Sequence, residues 1–281
     1  MMDQKTLKSA EVLFDLAYAE DIGDGDITTN NLIDPNVSKT AQLVAKEEGV
    51  IAGLKVAEMV FRKFDNTLEW NELLSDGSKV KSGDVIVEFK GNYRALLTGE
   101  RKALNFLQRL SGIASYANRC MKEIEGTKVE ILDTRKTLPG YRHLDKYAVR
   151  MGGASNHRFG LYDMVMIKDN HIKVAGGITQ AVEAIRKCVP KSIKIEVETT
   201  NIEEVKEALA ADVDIIMLDN MSSSLMKECV QIINKRAKIE ASGNMTIKRI
   251  KKVAHTGVDY ISIGALTHSV KALDISQRII N

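Results

Sequence analysis

The sequence has few cysteines and no long apolar run. Its three cysteines, Cys120, Cys188 and Cys229, are odd in number and far apart. This spacing excludes a zinc-type cysteine pair and indicates reduced thiols. There is no run of about 18 apolar residues, and the first residues lack the basic start and apolar core of a signal peptide. We therefore expect a soluble, cytoplasmic protein.

An excess of charge of one sign is also missing. Lysine and arginine number 40 and aspartate and glutamate 38, a formal net charge of +2. No overall field would draw this chain to nucleic acid or to a membrane surface, so we expect neither as a partner. Any basic site must be local. At 281 residues the chain is long enough for a barrel or for two modest domains.

Short apolar runs dominate the C-terminal half, and each stops at a polar or glycine-containing cluster. The runs are VEIL before residues 133–136, DMVMI before 168–171, IKIEV before Glu198, VDIIML before Asp219, KIEA before 242–244, and VDYISI before Gly264. Such runs are typical of strands buried on both faces of a parallel sheet, and the segments between several of them have helical periodicity. In an α/β barrel the strand ends meet at one mouth, where we place the site.

The N-terminal half has mixed patterns that predict an α+β module. Apolar spacing predicts a helix over residues 7–20, GDGDITTN at 23–30 is turn chemistry, and LKVAEMVFRKF predicts a helix among short strands between 39 and 91. The DxDxT string lacks the other ligands of a calcium loop. Residues 94–125 have helical spacing, and we expect Gly112 to divide them into two helices, because glycine inside a helix costs roughly 1 kcal/mol relative to alanine. A domain boundary is predicted there.

The polar clusters suggest a site for a small polyanion. The basic set comprises Arg135, Lys136, Arg142, His157, Arg158, Lys168 and His171, and guanidinium groups suit carboxylates and phosphates. Glu198 and Asp219 would suit Mg²⁺, although capping or salt-bridging roles stay open. The glycine turns after the last two runs suit a phosphate. Lys168 could instead form a Schiff base, as in barrel aldolases.

Longer strings resemble a known family. LLTGERKALNFLQRLSGIAS, DTRKTLPGYR, KYAVRMGGASNHRFGLYDMVMIKDNHI, IEVE, IIMLDN, EASGN and DYISIGALTHS resemble, in that order, the quinolinate phosphoribosyltransferases, and AEDIGDGDITT resembles their N-terminal signature. The resemblance implies an N-terminal α/β sandwich domain (1–112), to which a last helix at about 270–281 returns, and an incomplete, open α/β barrel (113–269). It also implies a homodimer with shared active sites, and assembly of such dimers into a higher homo-oligomer stays open.

The resemblance further implies a reaction. Phosphoribosyl pyrophosphate and quinolinate would give nicotinate mononucleotide, pyrophosphate and carbon dioxide, with Mg²⁺, in de novo NAD synthesis. Lys136, Lys168, Glu198 and Asp219 would be catalytic, and the last two would hold the metal and the ribose hydroxyls. The substrate-binding set would be Arg101 (reaching the partner's quinolinate), Thr134, Arg135, Lys136, His157, Arg158, Lys168, Glu198, Asp219 and, around the 5′-phosphate, Ser242, Gly243, Asn244, Gly264 and Ala265.

This sequence departs from the family pattern at two positions. Ala154 and Asn244 stand where glycine is frequent in the family, which affects only the fine geometry of the two loops. A paralogous group associated with molybdenum transport shares the fold, but it departs at DTRKT, NHR and IKDNH, which are intact here. A non-catalytic binding protein for a pyridine dicarboxylate would not need Glu198 and Asp219. We therefore favour the transferase.

Overall fold

The computed structural model describes residues 2–280, which pack into two compact units. Unit 1 contains the chain up to Asn118, together with Thr137–Gly153 and the chain from Leu266 onward; unit 2 contains Arg119–Lys136 and Ala154–Ala265. These units interleave along the chain. The domain limits proposed from the sequence, 1–112 and 113–269, stay a prediction.

The helices and strands follow one another along most of the chain. The helices are α1 Gln4–Asp21, α2 Ile27–Leu32, α3 Leu54–Phe64, α4 Tyr93–Glu123, α5 Arg142–Met151, α6 Asp169–Ala175, α7 Ile178–Cys188, α8 Ile202–Ala210, α9 Ser223–Ile233, α10 Ile247–Ala254 and α11 Ala265–His268. The strands are β1 Ser38–Ala45, β2 Gly49–Val50, β3 Glu69–Glu72, β4 Lys79–Val80, β5 Val85–Asn92, β6 Glu130–Leu132, β7 Val165–Ile167, β8 Ile195–Thr199, β9 Ile215–Asp219, β10 Lys238–Ser242, β11 Tyr260–Ser262 and β12 Ile275–Ile280.

Unit 1 is built on a four-stranded antiparallel sheet in the order β12-β1-β5-β3. Its aromatic core joins the sheet to helix α3: the Phe61 ring lies 4.8 Å from that of Phe89, which lies 5.1 Å from that of Trp70. The turn chemistry predicted at 23–30 is confined to its first residues. Asp26 caps α2 by accepting a hydrogen bond from the backbone of Thr29, so the second half of that stretch is helical.

Helix α4 corrects the prediction that Gly112 separates two helices. The helix runs unbroken through this position. A Cβ atom at Gly112 would collide with the carbonyl oxygen of Lys271 in the same unit. The glycine is therefore explained by a close approach of two backbones, and tertiary packing outweighs its unfavourable helix propensity.

The segment 270–281 is also corrected, because its described part forms a strand and not a helix. Strand β12 pairs antiparallel with β1, from Thr40 opposite Ile280 to Ala45 opposite Ile275. Its β-branched residues suit a pleated strand, and the pairing satisfies one edge of β1.

Unit 2 contains six parallel strands in the order β6-β11-β10-β9-β8-β7. Each apolar run predicted to be a strand forms one. Strands β6 and β7 lie at opposite ends of this order and are not paired with each other, so the barrel is open. The predicted fold class, an incomplete α/β barrel plus a separate α/β domain, is confirmed.

The two faces of the barrel sheet differ in chemistry because side chains alternate along each strand. One face carries apolar residues such as Val197, Ile216 and Ala241, all fully buried. On the other face, Glu240 lies opposite Met217 and Ser242 opposite Asp219. Carboxylates on three adjacent strands therefore face the same side of the sheet.

Within residues 2–280, every helix is too short or too polar to span a lipid bilayer. The cytoplasmic location expected from the sequence stays a prediction.

Candidate active site

The loop after β6 is anchored by a residue that the sequence analysis did not assign. Asp133 is fully buried. Its Oδ1 accepts a hydrogen bond from the backbone N–H of His157 at 3.0 Å, and its Oδ2 accepts one from the side-chain amide of Asn156 at 2.6 Å. The end of β6 is thereby tied to the predicted NHR segment. The sequence signal for Asp133 was its position directly after an apolar run.

Two guanidinium groups come together next to this anchor. Nη1 of Arg158 donates to the carbonyl of Met164 at 2.9 Å, and Nη2 lies 3.7 Å from the sulfur of Met166. Burial lowers the pKa of Arg158, and the charge of Arg135 lowers it further. Two cations that repel each other in a half-buried place favour an anionic ligand between them. The structure therefore brings Arg135, His157 and Arg158 together, as predicted.

Two other predicted residues follow Asp133 on the same loop. Thr134 accepts a hydrogen bond on Oγ1 from the backbone N–H of Lys136 at 3.1 Å, which turns the chain back after the strand. Lys136 is exposed at the start of the loop that follows β6 in unit 2.

Lys168 and Glu198 form an ion pair across neighbouring strand ends. The distance from Nζ of Lys168 to Oε2 of Glu198 is 2.7 Å. The salt-bridging role left open for Glu198 is thus present. Next to this pair lies a cavity of about 190 Å³ lined by Asp169, Ile172, Lys173, Glu198, Thr200 and Glu204. It provides room for a ligand beside Glu198.

Asp219 ends strand β9 on the same sheet face as Glu198. It is half-buried, and its Oδ2 accepts a hydrogen bond from the side-chain amide of Asn220 at 2.7 Å. Two carboxylates on adjacent strand ends offer hard oxygen ligands, which fit Mg²⁺ when substrate oxygens complete its coordination.

The turn after β10 has the backbone of an anion cradle. Gly243 has φ 85°, and Asn220 and Asn244 have φ values of 54° and 50°. A Cβ atom at Gly243 would collide with the side chain of Asn220, so only glycine fits. Asparagine tolerates the left-handed conformation better than most residues, which explains how Asn244 replaces the glycine frequent in the family. Ser242, the last residue of β10, starts this turn.

Arg249 supports the cradle, although sequence reasoning missed it. Its Nη1 donates to the carbonyl of Gly243 at 2.9 Å and its Nη2 to the carbonyl of Met221 at 2.6 Å. The side chain therefore joins the loops after β9 and β10. The sequence offered no distinguishing signal, because Arg249 stands among other basic residues of α10.

The remaining predicted residues lie at different places. Gly264 follows β11, the neighbour of β10, and Ala265 begins α11, so both stand at the same strand-end edge as Ser242. Arg101 is exposed on α4 in unit 1, and its predicted role stays a prediction.

His157, Glu196 and Glu240 form a buried cluster deeper in the barrel. Nε2 of His157 lies 3.1 Å from Oε2 of Glu196 and 3.2 Å from Oε2 of Glu240. Burial raises the pKa of Glu196, and the two carboxylates raise the pKa of His157 although burial opposes them. The cluster therefore retains protons at neutral pH. Sequence reasoning predicted His157 but neither glutamate.

Comparisons with known proteins find similar sequences and structures over almost the whole chain. Residues 26–111 match the family model described as quinolinate phosphoribosyl transferase, N-terminal domain, and residues 113–278 match that of the C-terminal domain. A probable carboxylating nicotinate-nucleotide pyrophosphorylase of Synechocystis is 47% identical over 265 residues, covering 93% of this chain and 90% of that protein. The crystal structure of NadC from Streptococcus pyogenes is 40% identical with a TM-score of 0.95 and covers 100% of both chains. The nicotinate-nucleotide pyrophosphorylase from Francisella tularensis is 42% identical with a TM-score of 0.94, covering 97% and 96%.

Proposed function

The chain belongs to the quinolinate phosphoribosyltransferase family, and on that premise we propose that it transfers the phosphoribosyl group of phosphoribosyl pyrophosphate to quinolinate. The reaction releases pyrophosphate and carbon dioxide and yields nicotinate mononucleotide for de novo NAD synthesis. One observation carries the proposal: Arg135, His157 and Arg158 converge beside the ends of β6 and β7. Two guanidinium groups held this closely, with His157 beside them, suit a planar dianion with two adjacent carboxylates.

The cationic residues have separable roles in this proposal. Arg135 and Arg158 present planar donor groups that match carboxylates in pairs, and His157 lies next to Arg158 in the same segment. Lys136 and Lys168 are exposed point charges, suited to the pyrophosphate side of the second substrate. The side chains that bind the acceptor are thus more buried than those that face the leaving group.

The proposed reaction depends more on electrostatic stabilisation of developing charge than on acid–base catalysis. The pyridine nitrogen of quinolinate attacks C1 of the ribose while the bond to pyrophosphate breaks, so positive charge develops on the sugar and negative charge on the leaving group. The nitrogen carries its own lone pair, and no general base is required. Alkylation makes the ring cationic. The bond from C2 to its carboxylate then breaks, carbon dioxide leaves, and a proton takes its place on C2.

We propose that Glu198 and Asp219 hold Mg²⁺ together with oxygens of the ribose and pyrophosphate. The donor set supports this, since both carboxylates end adjacent strands on one sheet face and Glu198 already accepts a cation, the ammonium of Lys168. When bound, Mg²⁺ would neutralise part of the charge of the pyrophosphate. Ser242, Gly243, Asn244, Gly264 and Ala265 would bind the 5′-phosphate through backbone N–H groups.

We also propose a homodimer in which Arg101 completes the partner's quinolinate site. Mixing inactive Arg101→Ala and Lys136→Ala proteins tests this. Random exchange of subunits would restore about a quarter of the wild-type sites, because half of the dimers become mixed and one site in each is intact. No recovery, with exchange verified by differently tagged subunits, would contradict the shared site. Light scattering would give the mass and reveal any higher oligomer.

A product assay tests the function itself. Purified protein is incubated with quinolinate, phosphoribosyl pyrophosphate and Mg²⁺, and nicotinate mononucleotide is followed, with nicotinate replacing quinolinate in a parallel reaction. We expect product from quinolinate alone, and none in the presence of a chelator. No product from either acceptor would contradict the proposed function and would favour the molybdenum-associated paralogue or a binding protein.

A further inference from the structure

The His157–Glu196–Glu240 cluster contains two carboxylates without a role in the site assigned so far. Both glutamates are fully buried, and the side chain of His157 is 7% exposed. Within residues 2–280, no well-formed hydrogen bond reaches any of the four carboxylate oxygens; the nearby donor is Nε2 of His157, at 3.1 and 3.2 Å. Buried carboxylates with so few partners destabilise a fold. Their presence calls for a functional reason.

The position of the cluster relates it to the mouth of the barrel. Glu196 precedes Glu198 by one strand repeat on β8, and Glu240 precedes Ser242 in the same way on β10. Glu196 therefore lies on the same sheet face as Glu198, and Glu240 lies on the same face as Ser242. Each glutamate is about 7 Å deeper along its strand. The cluster is a layer directly below the residues assigned to the substrates.

A proton, and not a metal ion, fits between the three side chains. Nδ1 of His157 accepts a hydrogen bond from the backbone N–H of Arg158 at 2.8 Å. This places the ring proton on Nε2, facing the carboxylates, and leaves no lone pair there for a metal. Nε2 of His157 lies 3.1 Å from Glu196 and 3.2 Å from Glu240, which is close enough for its proton to be shared with either carboxylate.

The ring of His157 is thus bonded at Nδ1 and lies in contact with both carboxylates at Nε2, and the segment around it is held as well. Its backbone N–H donates to Asp133, and Asn156 donates to the same carboxylate. The guanidinium of Arg158 follows directly and is directed to the carbonyl of Met164. A change at the ring must be transmitted to Arg158 through one peptide unit.

We propose that Glu196 and Glu240 are positioning residues that hold His157 and thereby place Arg158 for a pyridine dicarboxylate. This inference rests on the proposed function, because it specifies which substrate the buried pair serves. The pair would affect binding of the dicarboxylate and leave binding of the phosphoribosyl donor nearly unchanged, since the donor's cradle is built by Gly243, Asn244 and Arg249 and not by the segment that carries His157 and Arg158.

Calorimetric titration of quinolinate and, separately, of phosphoribosyl pyrophosphate into the full chain tests the inference. For Glu240→Ala we expect the Kd of quinolinate to rise about tenfold or more, because small misplacement of a binding group is costly, and the Kd of the donor to change less than about threefold. Glu240→Gln keeps an oxygen that can accept from Nε2–H and should recover part of the loss. Glu130→Gln is the matched control, an exposed carboxyl on the same sheet bonded to Ser155, and should bind both ligands normally.

The outcomes separate this inference from the function on which it rests. Wild-type protein that binds no quinolinate overturns both. If wild-type protein binds quinolinate normally and Glu240→Ala binds it with unchanged affinity, the positioning role alone is overturned. The same holds if Glu240→Ala binds both ligands equally more weakly and has a lower Tm. If Glu240→Ala does not fold, the Glu196→Gln/Glu240→Gln double variant replaces it, with the same split between ligands expected. A stoichiometric divalent metal that is lost in Glu240→Gln would also overturn the proton-sharing arrangement.

Discussion

Replacing Arg158 by alanine removes the guanidinium assigned to a quinolinate carboxylate. Truncating one partner of a hydrogen-bonded, desolvated charge pair costs about 2–5 kcal/mol, which corresponds to a loss in kcat/KM of about 30-fold to several-thousand-fold. The loss should appear in the kinetic constants for quinolinate and not in those for phosphoribosyl pyrophosphate, because the phosphoribosyl donor is bound by other loops. Arg158→Lys keeps the charge without the planar donor group and should lie between alanine and wild type.

The fold should tolerate this change. Arg158 loses one hydrogen bond to the carbonyl of Met164, worth about 1 kcal/mol. Removing its charge also relieves repulsion from Arg135, the same repulsion that contributes to the lowered pKa of Arg158. The two effects oppose each other, so we expect the free energy of unfolding to change by about 1 kcal/mol or less and Tm by a few degrees at most.

Steady-state kinetics with each substrate varied, together with thermal unfolding, measure both effects. Arg186→Ala is a suitable control, because this arginine makes a surface ion pair with Asp214 at 3.4 Å and donates to the carbonyl of Asp212 at 3.1 Å, and such surface contacts contribute little. If Arg158→Ala kept kcat/KM for quinolinate within about threefold of wild type, the assignment of this residue to the substrate would be refuted.

Three further predictions concern other parts of the site. Lys136→Ala should lower kcat about 100-fold with Tm unchanged, because it removes a charge facing the leaving group; a normal kcat would contradict the assignment of Lys136 as a catalytic residue. Glu198→Gln should raise the Mg²⁺ concentration for half-maximal rate about tenfold in a magnesium titration, and an unchanged titration curve would argue against Glu198 as a ligand. Gly243→Ala should lower the free energy of unfolding by about 1–3 kcal/mol in denaturant and raise KM for phosphoribosyl pyrophosphate, because φ 85° and the contact with Asn220 both oppose a side chain. Wild-type stability would contradict this account.

The strand ends of the barrel were predictable from the sequence for a physical reason. A buried parallel strand has an almost continuous apolar pattern, so its end is marked by the first polar residue. Glu198 and Asp219 were found in this way. The limits of α3 were equally clear, since its apolar face has an uninterrupted helical period.

The features that the sequence did not predict depend on partners distant along the chain. Gly112 appeared to be a helix break because helix propensity depends on the local sequence and does not include the close approach of the Lys271 carbonyl. Strand β12 needed the edge of β1, and Arg249 needed two loop carbonyls to distinguish it from neighbouring basic residues. Glu240 lies within an apolar run, where an acidic residue carries no recognisable pattern. The candidate site therefore contains buried polar groups that only the tertiary structure identifies.

The pairing of β1 with β12 also affects the order in which the protein can fold on the ribosome. Strand β1 is synthesised early, whereas its neighbour begins at Ile275. The sheet of unit 1 therefore cannot be completed until the residues up to Ile280 have emerged, although residues that belong to unit 2 have been available for some time. Until then one edge of β1 remains without its partner, and nascent chains that stall before Ile275 would expose that edge to aggregation.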